Sequence, residues 1–282
     1  MPARLTPLKR SPKGRKTGKA RPEADPRRRL ALVIDLLEQH LGVPVWDGPK
    51  DPLEILVLTI LSQNTTDPNA LRAYRALAAA LPAEGPVSRD ARALPVAADG
   101  TVDKVKLRLS DAAKAVEPPA WERVAALTRT ELAAIIRPAG LPDAKAGAIL
   151  ALLAWLRETT GSYSLAKALQ QLGTARGVEA LGAIKGIGAK TIAVTMIEAL
   201  GADLCPVDTH VHRIINRLGI TDTGSNRDRT YTLLRDLVPP GKGFSLHHNL
   251  LTLGRTVCTA KSPRCGACVL RALCPSAEAG FG

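Results

Sequence analysis

The stretch that decides the fold is Ala183-Ile184-Lys185-Gly186-Ile187-Gly188-Ala189-Lys190-Thr191, in which two glycines flank one apolar residue. Helical patterns precede and follow it, so the sequence predicts a tight hairpin between two helices. We expect glycine at Gly186 and Gly188 because a β-carbon would obstruct a turn with positive φ. Small residues also let a ligand approach the backbone closely. Lys190 would lie in the first turn of the second helix.

The loop of this hairpin is a candidate anion site. Its backbone N–H groups would lie at the N-terminus of a helix, where the positive end of the helix dipole favours one phosphate group. Such a contact would position a nucleic-acid duplex without reading its bases. A simple turn would have the same Gly-x-Gly sequence. The candidate residues are Lys185, Gly186, Ile187 and Gly188.

A second predicted helix start supplies an acidic partner for the lysine. Asp208 follows Lys190 by eighteen positions and stands in Val207-Asp208-Thr209-His210, which has the form of a capped helix start. An amine and a carboxylate from two helix starts would provide a nucleophile and a group that accepts its proton or stabilises positive charge. An exposed surface lysine and a simple N-cap are the alternative interpretations.

The rest of the chain also has helical periodicity, and no stretch alternates with period two, so the predicted fold class is all-α. We expect Asp51, Asp67 and Asp143 to cap helices and Gly42, Gly201 and Gly219 to follow helix ends. Residues 82–120 read as an insertion of low local order, with a short helix over 102–116. The predicted helices span 28–42, 53–61, 67–81, 121–127, 130–139, 143–159, 165–172, 178–184, 189–200, 209–218, 226–237 and 244–256.

The charge balance points to a polyanionic partner. Lysine and arginine outnumber acidic residues 39 to 26, a formal net charge of +13. Residues 1–30 alone carry a net charge of +9. We predict a disordered basic tail over residues 1–27, with a dedicated DNA-binding arm as the alternative.

From the sequence we expect neither secretion nor insertion into a membrane. The basic tail has no apolar run of the kind that a secretory signal needs. Nowhere does the chain approach the roughly 20 apolar residues of a membrane helix. We therefore expect a cytoplasmic protein without a membrane partner, associated with the nucleoid if the cell is bacterial.

Four of the five cysteines fall within seventeen residues near the C-terminus. Close spacing in an intracellular chain favours a metal site over a disulfide framework. One Cys-x-x-Cys pair with two outlying cysteines suits an iron–sulfur cluster better than the paired knuckles of a zinc site, although a structural zinc ion remains the alternative. The candidate ligands are Cys258, Cys265, Cys268 and Cys274.

Three further places are candidates for contact with DNA. Lys261 and Arg264 lie between the first two cysteines, where a basic loop suits a phosphate and solvated surface charge is the alternative. Asn64 belongs to a polar break, residues 62–66, that ends an apolar helix and is either a loop or the lining of a cleft. Leu141 stands at the tip of a turn, where a packed turn residue is the ordinary interpretation.

Together these motifs resemble the endonuclease III family of helix-hairpin-helix DNA glycosylases. The resemblance runs in order across about 230 residues, excluding the insertion. The combination of cysteine spacing, hairpin lysine and aspartate is specific. It rests on residues 61–67, Gly140-Leu141 with Lys145-Ala146, residues 186–191 and 207–210, His247-His248, Gly254-Arg255 and the four cysteines.

The resemblance implies two helical domains with the active-site cleft between them. One is a six-helix barrel over residues 48–202 that carries the hairpin and an insertion at about 83–119. The other is built from residues 28–47 and 203–282 around a [4Fe-4S] cluster. A monomer acting on double-stranded DNA that contains damaged bases or abasic sites is expected.

The resemblance also implies roles for single residues. The lysine matching Lys190 attacks C1′ of a flipped-out nucleotide, expels the base and leaves a Schiff base, and elimination then cuts the strand. The aspartate matching Asp208 assists it, and the usual substrates are oxidised pyrimidines. Leu141 matches a side chain that wedges into the duplex. Asn64 stands where the family commonly has glutamine filling the gap left by the flipped base.

Several residues depart from the family pattern, and two other functions therefore stay open. Lys185 replaces a usual proline, and Ala189 replaces a common arginine. A monofunctional glycosylase is one alternative, although such enzymes lack a lysine at the position of Lys190. A DNA-binding module that has weak or lost catalysis is the other.

Overall fold

The computed structural model describes residues 25–45, 50–83 and 116–278. Most of the predicted basic tail, most of the insertion and the helix predicted over 102–116 lie outside these residues. Within them all regular structure is helical, with no strand and one isolated bridge between Pro82 and Pro119. The all-α prediction is thereby confirmed for the described residues.

The described segments of the chain are organised as successive helices. Three of them are single 3-10 turns: Arg137–Ala139, Cys265–Ala267 and Arg271–Leu273. The α-helices are α1 Pro26–Leu41, α2 Pro52–Ser62, α3 Asp67–Ala80, α4 Trp121–Ala125, α5 Arg129–Ile135, α6 Pro142–Thr160, α7 Leu165–Leu172, α8 Thr174–Ala183, α9 Ala189–Leu200, α10 Thr209–Arg217, α11 Arg227–Arg235, α12 Gly243–Thr256 and α13 Pro275–Glu278.

Local capping explains where several helices begin. Asp51 precedes Pro52, and its carboxylate accepts hydrogen bonds from the backbone N–H groups of Leu53 and Glu54 at 2.7 and 3.1 Å. Thr128 and Glu131 form a reciprocal capping box at the start of α5. Because these bonds involve residues close in sequence, the predicted start of α2 agrees with the structure.

Two predicted caps are wrong. Thr66, not Asp67, holds the N-cap position of α3, and the carboxylate of Asp67 pairs with Arg255 at 2.9 Å. Leu141 holds the N-cap position of α6, and Asp143 pairs with Arg129 instead. Each aspartate lies inside the first helical turn, where its negative charge suits the helix dipole and a distant arginine is within reach.

The buried apolar side chains form two separate cores. The first core is built by α2 to α9, with α2 packing against α3, α6 and α9. The second core combines α1 with α10 to α12 and the segment after them. The chain therefore returns to its first helix to complete the second core. The helix after the hairpin belongs to the first core, and the helix that starts at Thr209 belongs to the second.

Among the described helices, none combines the length and the hydrophobicity that crossing a bilayer requires.

Candidate active site at the boundary of the two cores

A cleft of about 1150 Å³ lies between residues of the two cores. Lys190 lines it from the first turn of α9, Asp208 from the residue before α10, and Asn64 from the loop after α2. Three residues that are far apart in sequence thus face one cleft, as an active site requires.

The hairpin before α9 depends on only one of its glycines for its backbone conformation. Gly186 has φ of +96°, and a β-carbon there would come within 2.9 Å of the Cβ of Ala148. Gly188 has φ of −89°, so the expectation of positive φ is wrong at this position. A β-carbon on Gly188 would meet nothing within 4 Å, so the space beside this residue is open at the start of α9.

The side chains around the hairpin loop have different environments. Ile187 is buried in the first core, and its N–H group donates to the carbonyl of Ile184 at 3.0 Å, so its side chain does not reach a ligand. Lys185 and Lys190 are exposed. Gln63 holds the loop in place, because its Nε2 donates to the carbonyl of Gly186 and to Oγ1 of Thr191, each at 3.0 Å. Sequence periodicity gave no indication of this contact.

Asp208 is a genuine N-cap as well as a lining residue of the cleft. Its Oδ1 accepts hydrogen bonds from the backbone N–H groups of His210 and Val211, each at 2.8 Å. These bonds fix the carboxylate at the start of α10. The side chain is half-buried, and Oδ2 accepts no hydrogen bond among those found in the described residues. One oxygen thus holds the helix and the other is available to the cleft.

The cleft contains a buried acid and two histidines that the sequence did not assign to the site. Glu198 lies two turns after Lys190 on α9, and its Oε1 is 3.0 Å from Nε2 of His248. Nε2 of His248 makes no hydrogen bond within the described residues, so the two side chains are close neighbours without a hydrogen bond. Burial and, second, the neighbouring His248 lower the pKa of His247 to about 4. His247 is therefore neutral near pH 7, and its Nδ1 lies 2.9 Å from the carbonyl oxygen of Pro206.

A charged pair joins the two cores at the cleft. Arg255 on α12 contacts Asp67 on α3 at 2.9 Å, and both residues line the cleft. The resemblance of Gly254-Arg255 to a family motif could have singled out this arginine. Asp67 carried only the prediction of a helix cap. The pair is partly exposed, so it contributes more to the relative position of the helices than to stability.

Asn64 and Leu141 share an unusual backbone conformation. Among the described residues they are the non-glycine residues with positive φ, at 52° and 48°. Leu141 is also 58% exposed. A large apolar side chain that combines positive φ with such exposure is uncommon. Asn64 is exposed and lines the cleft, whereas Leu141 is not among the residues that line it.

The four C-terminal cysteines surround one small cavity. All are half-buried, and Arg217 Nη1 lies 3.3 Å from Sγ of Cys258. In the described part of the chain no three Cys, His, Asp or Glu side chains converge as the ligands of one metal ion would. Thiols spread around a cavity fit a polynuclear cluster better than a single zinc ion. The four are Cys258, Cys265, Cys268 and Cys274.

The two basic residues of the cysteine loop differ in how they are held. Lys261 is exposed. Arg264 is also exposed, but its guanidinium donates to the carbonyl of Thr256 and it lines the cysteine cavity. The fixed position of Arg264 makes it the more pre-organised of the two cations.

Comparison with known proteins defines the class. The family model of the HhH-GPD superfamily of base excision DNA repair proteins matches residues 57–240, and that of the iron–sulfur binding domain of endonuclease III matches residues 258–274. The first match covers more than half of the chain and contains both Lys190 and Asp208. The second begins and ends at cysteines, and it confirms the predicted [4Fe-4S] cofactor.

Individual relatives narrow the class further. An endonuclease III of Treponema pallidum (strain Nichols) is 33% identical over 181 residues, which are 63% of this chain and 77% of the relative. An endonuclease III homolog of Encephalitozoon cuniculi (strain GB-M1) is 35% identical over 121 residues, 43% of this chain and 50% of that protein. The chain belongs to the endonuclease III family of the HhH-GPD superfamily.

The coverage and the sequence identity of these matches determine what they establish about this chain. The chain spans about half of the length of the first relatives it matches. A solved structure described as a non-covalent endonuclease III–DNA complex matches with a TM-score of 0.65 and 22% identity, covering 90% of this chain and 97% of that chain. At that identity the likeness establishes the fold alone.

Proposed function

We propose that this protein is a bifunctional DNA glycosylase and abasic-site lyase of base excision repair that removes oxidised pyrimidines from duplex DNA. The observation that carries the proposal is the presence of an exposed lysine, Lys190, and a half-buried aspartate, Asp208, in one cleft. A lysine alone on a helix is common. A lysine opposite a carboxylate in a large cleft, in this family, supports nucleophilic chemistry.

Lys190 would act as the nucleophile. Its amine lone pair forms a bond to C1′ while the bond from C1′ to the base breaks, and the base leaves with the electron pair and takes up a proton. Opening of the sugar, with protonation of its ring oxygen and loss of the amine proton, gives the iminium ion. Removal of a C2′ proton then breaks the bond from C3′ to oxygen, which cuts the strand on the 3′ side.

Asp208 would assist through the oxygen that does not cap α10. A carboxylate in the same cleft accepts the proton of the attacking ammonium group and stabilises the positive charge that develops at the sugar. The two N–H groups on Oδ1 fix the carboxylate before the substrate arrives. Catalytic geometry that is set in advance costs no reorganisation in the transition state.

The proposed partner is double-stranded DNA, bound by a monomer in the cytoplasm, at the nucleoid if the cell is bacterial. The open space beside Gly188 supports a phosphate contact with the hairpin, to which Lys185, Gly186 and Ile187 contribute charge or backbone. Lys261 and Arg264 would contact a second phosphate. Leu141 would enter the duplex, and Asn64 would fill the gap beside the flipped base.

The proposed domains are a barrel, residues 48–202, and a cluster domain, residues 28–47 with 203–282. The separate cores support this division. The cluster would be held by the four thiolates of the second domain, and its iron offsets the negative charge that they concentrate. Arg217 would donate to one of these sulfurs and Arg264 would border the site.

Borohydride trapping tests the catalytic proposal. We expect the wild-type protein to form a covalent adduct with duplex DNA that contains an abasic site or thymine glycol when borohydride is present, because borohydride reduces the Schiff base. Lys190→Gln should abolish the adduct. The matched control is Lys167→Gln, which removes an exposed lysine that does not line the cleft and should keep trapping.

The alternative function is a DNA-binding module with weak or lost catalysis. It would be favoured if the wild-type protein bound the lesion duplex and gave no adduct over a panel of lesions. An adduct that survives in Lys190→Gln would instead assign the nucleophile to another amine.

A further inference from the structure

A buried lysine connects the two segments that carry Asn64 and Leu141. The side chain of Lys145 on α6 is nearly inaccessible, with 3% of its surface exposed. Its Nζ donates to the carbonyl of Leu61 at 2.8 Å and to the carbonyl of Ala139 at 2.7 Å. Leu61 precedes Asn64 by three residues, and Ala139 precedes Leu141 by two.

The same lysine also holds the second segment through its backbone. Its N–H group donates to the carbonyl of Leu141 at 3.2 Å, which is a main-chain bond of α6 that any residue except proline would make at this position. Lys145 thus makes three hydrogen bonds, one to the segment before Asn64 and two to the segment around Leu141. Asn64 and Leu141 both have positive φ. Residues other than glycine keep this backbone conformation only where their surroundings enforce it.

We propose that Lys145 is a positioning residue that sets the distance between the side chain that fills the gap, Asn64, and the side chain that enters the duplex, Leu141. The inference rests on the proposed function, because both roles presuppose a flipped nucleotide. Lys145 is not among the residues that line the cleft. It acts by bonding carbonyls at the base of each segment, so the two exposed side chains approach the duplex as one rigid pair.

The location of the carbonyls explains why a cation is used. Leu61 lies in the last turn of α2, where carbonyl groups lack partners within the helix and the dipole is negative. Ala139 ends a short 3-10 turn. A single ammonium group with three donors reaches both, whereas an apolar side chain would leave two buried carbonyls without a partner.

The test compares lesion binding by wild type and Lys145→Met, whose side chain has a similar length and no donor. The probe is a duplex with tetrahydrofuran, an abasic analogue that cannot be cleaved, measured against the intact duplex and against the same lesion in a single strand. We expect Lys145→Met to lower the preference for the lesion duplex by about tenfold or more. Binding to the lesion single strand should change by less than about twofold, because a single strand has no gap to fill and no pair to separate.

Two controls separate positioning from loss of stability. Leu152→Ala removes a buried side chain from the same helix and should leave the preference for the lesion duplex unchanged at a temperature where it stays folded. Lys167→Met removes a lysine that donates to the carbonyl of Thr160 at the other end of α6, and this variant should also keep the preference for the lesion duplex. Lys145→Arg, which retains the charge and several donors, should recover part of the preference.

A combination variant provides an independent readout. In a protein that carries Asn64→Ala and Leu141→Ala, the further change Lys145→Met should cause no additional loss, because the pair it positions is absent. Should Lys145→Met fail to fold, Lys145→Gln, whose amide NH2 group keeps two donors, is measured in the same way.

An unchanged preference in the lysine variants, or an equal loss on duplex and single strand, would overturn the positioning role. So would the same loss in Leu152→Ala. Failure of the proposed function is visible separately, since a wild-type protein that neither forms the borohydride adduct nor prefers the lesion overturns both. A wild type that forms the adduct while Lys145→Met keeps full preference overturns only this inference.

Discussion

The two cores of the molecule differ in the kinds of side chain that build them. In the first core, apolar side chains such as Leu56, Ile149 and Leu152 are fully buried against one another. The second core ends at half-buried thiols, and Arg213 and Arg217 donate to the carbonyl and the sulfur of Cys258. The first core is built from apolar side chains, whereas the second also borders the cysteine cavity, where a bound group would add to its folding free energy.

This difference explains why the candidate site lies at the boundary. Lys190 is carried by a helix of the first core, and Asp208 begins a helix of the second. The two side chains can act together only when both cores are folded. We therefore expect a cluster in the cysteine cavity to influence the site without touching the substrate, because it would stabilise the core that holds Asp208.

Loss of the cluster gives the largest expected effect. In Cys258→Ala, or after iron is removed, we expect amide protection in the second core to fall by on the order of several kcal/mol, because binding of a structural metal is part of the folding free energy. Amides of the first core should keep most of their protection. Hydrogen exchange resolved by residue measures both. A uniform loss across residues 53–196 and 205–270 would contradict the independence of the cores.

The reverse change targets the first core. Leu152→Ala removes a fully buried side chain, and we expect a loss of about 2–5 kcal/mol in the free energy of unfolding, because a cavity remains. Below its unfolding temperature this variant should keep the visible absorbance of the cluster. Leu246→Ala is the matched change in the second core and should weaken that absorbance. Bleaching by Leu152→Ala at a temperature where it is folded would show that the cores are coupled.

Features with a local cause could be predicted from the sequence. Asp51 caps α2, Asp208 caps α10, and Gly201 follows α9 in a left-handed conformation, as predicted. In each case the residue acts on atoms within a few positions. The hairpin and its lysine were visible in the sequence for the same reason.

The rest of the site depends on partners that are distant in sequence. Asp67 was expected to cap a helix, but its carboxylate pairs with Arg255, which is 188 positions away. Glu198 and His248 are fifty positions apart and meet only in the folded chain. Lys145 is part of a sequence motif, yet its bond to Leu61 joins residues 84 positions apart. Periodicity does not encode such contacts.

The buried Lys145 predicts a pH effect within the first core. Burial lowers its pKa from the ordinary 10.5 to about 8. Between these values the unfolded chain binds more protons than the folded one, so stability rises with pH. We expect the free energy of unfolding of wild type, relative to Lys145→Met, to increase by on the order of 3 kcal/mol from pH 8 to 10.5. Denaturant titration across this range measures it.

The control for this pH effect is Lys167→Met, which removes an exposed lysine of the first core. Its stability should run parallel to that of wild type over the same range. A difference between wild type and Lys145→Met that stays constant with pH would show that the ammonium group is not desolvated as its burial requires.

The smallest expected effects come from substituting the two hairpin glycines. Comparing the two variants distinguishes the role of the hairpin in stability from its role in DNA binding. Gly186→Ala should cost about 1–2 kcal/mol for its left-handed backbone, with more from the contact to Ala148. Gly188→Ala has ordinary φ and open space, so it should cost less than about 1 kcal/mol as an N-cap change.

DNA binding should rank the two glycines in the opposite order. A methyl group on Gly188 would occupy the open space at the start of α9 into which a phosphate must fit, whereas one on Gly186 would point at Ala148 inside the protein. We therefore expect Gly188→Ala to weaken binding to undamaged duplex more than Gly186→Ala, once both are compared at equal folded fraction. Fluorescence anisotropy at two salt concentrations provides the measurement, since a lost phosphate contact also lowers the salt dependence. If binding followed stability instead, with Gly186→Ala the weaker variant, the hairpin would be a turn that only positions Lys190 and holds no phosphate.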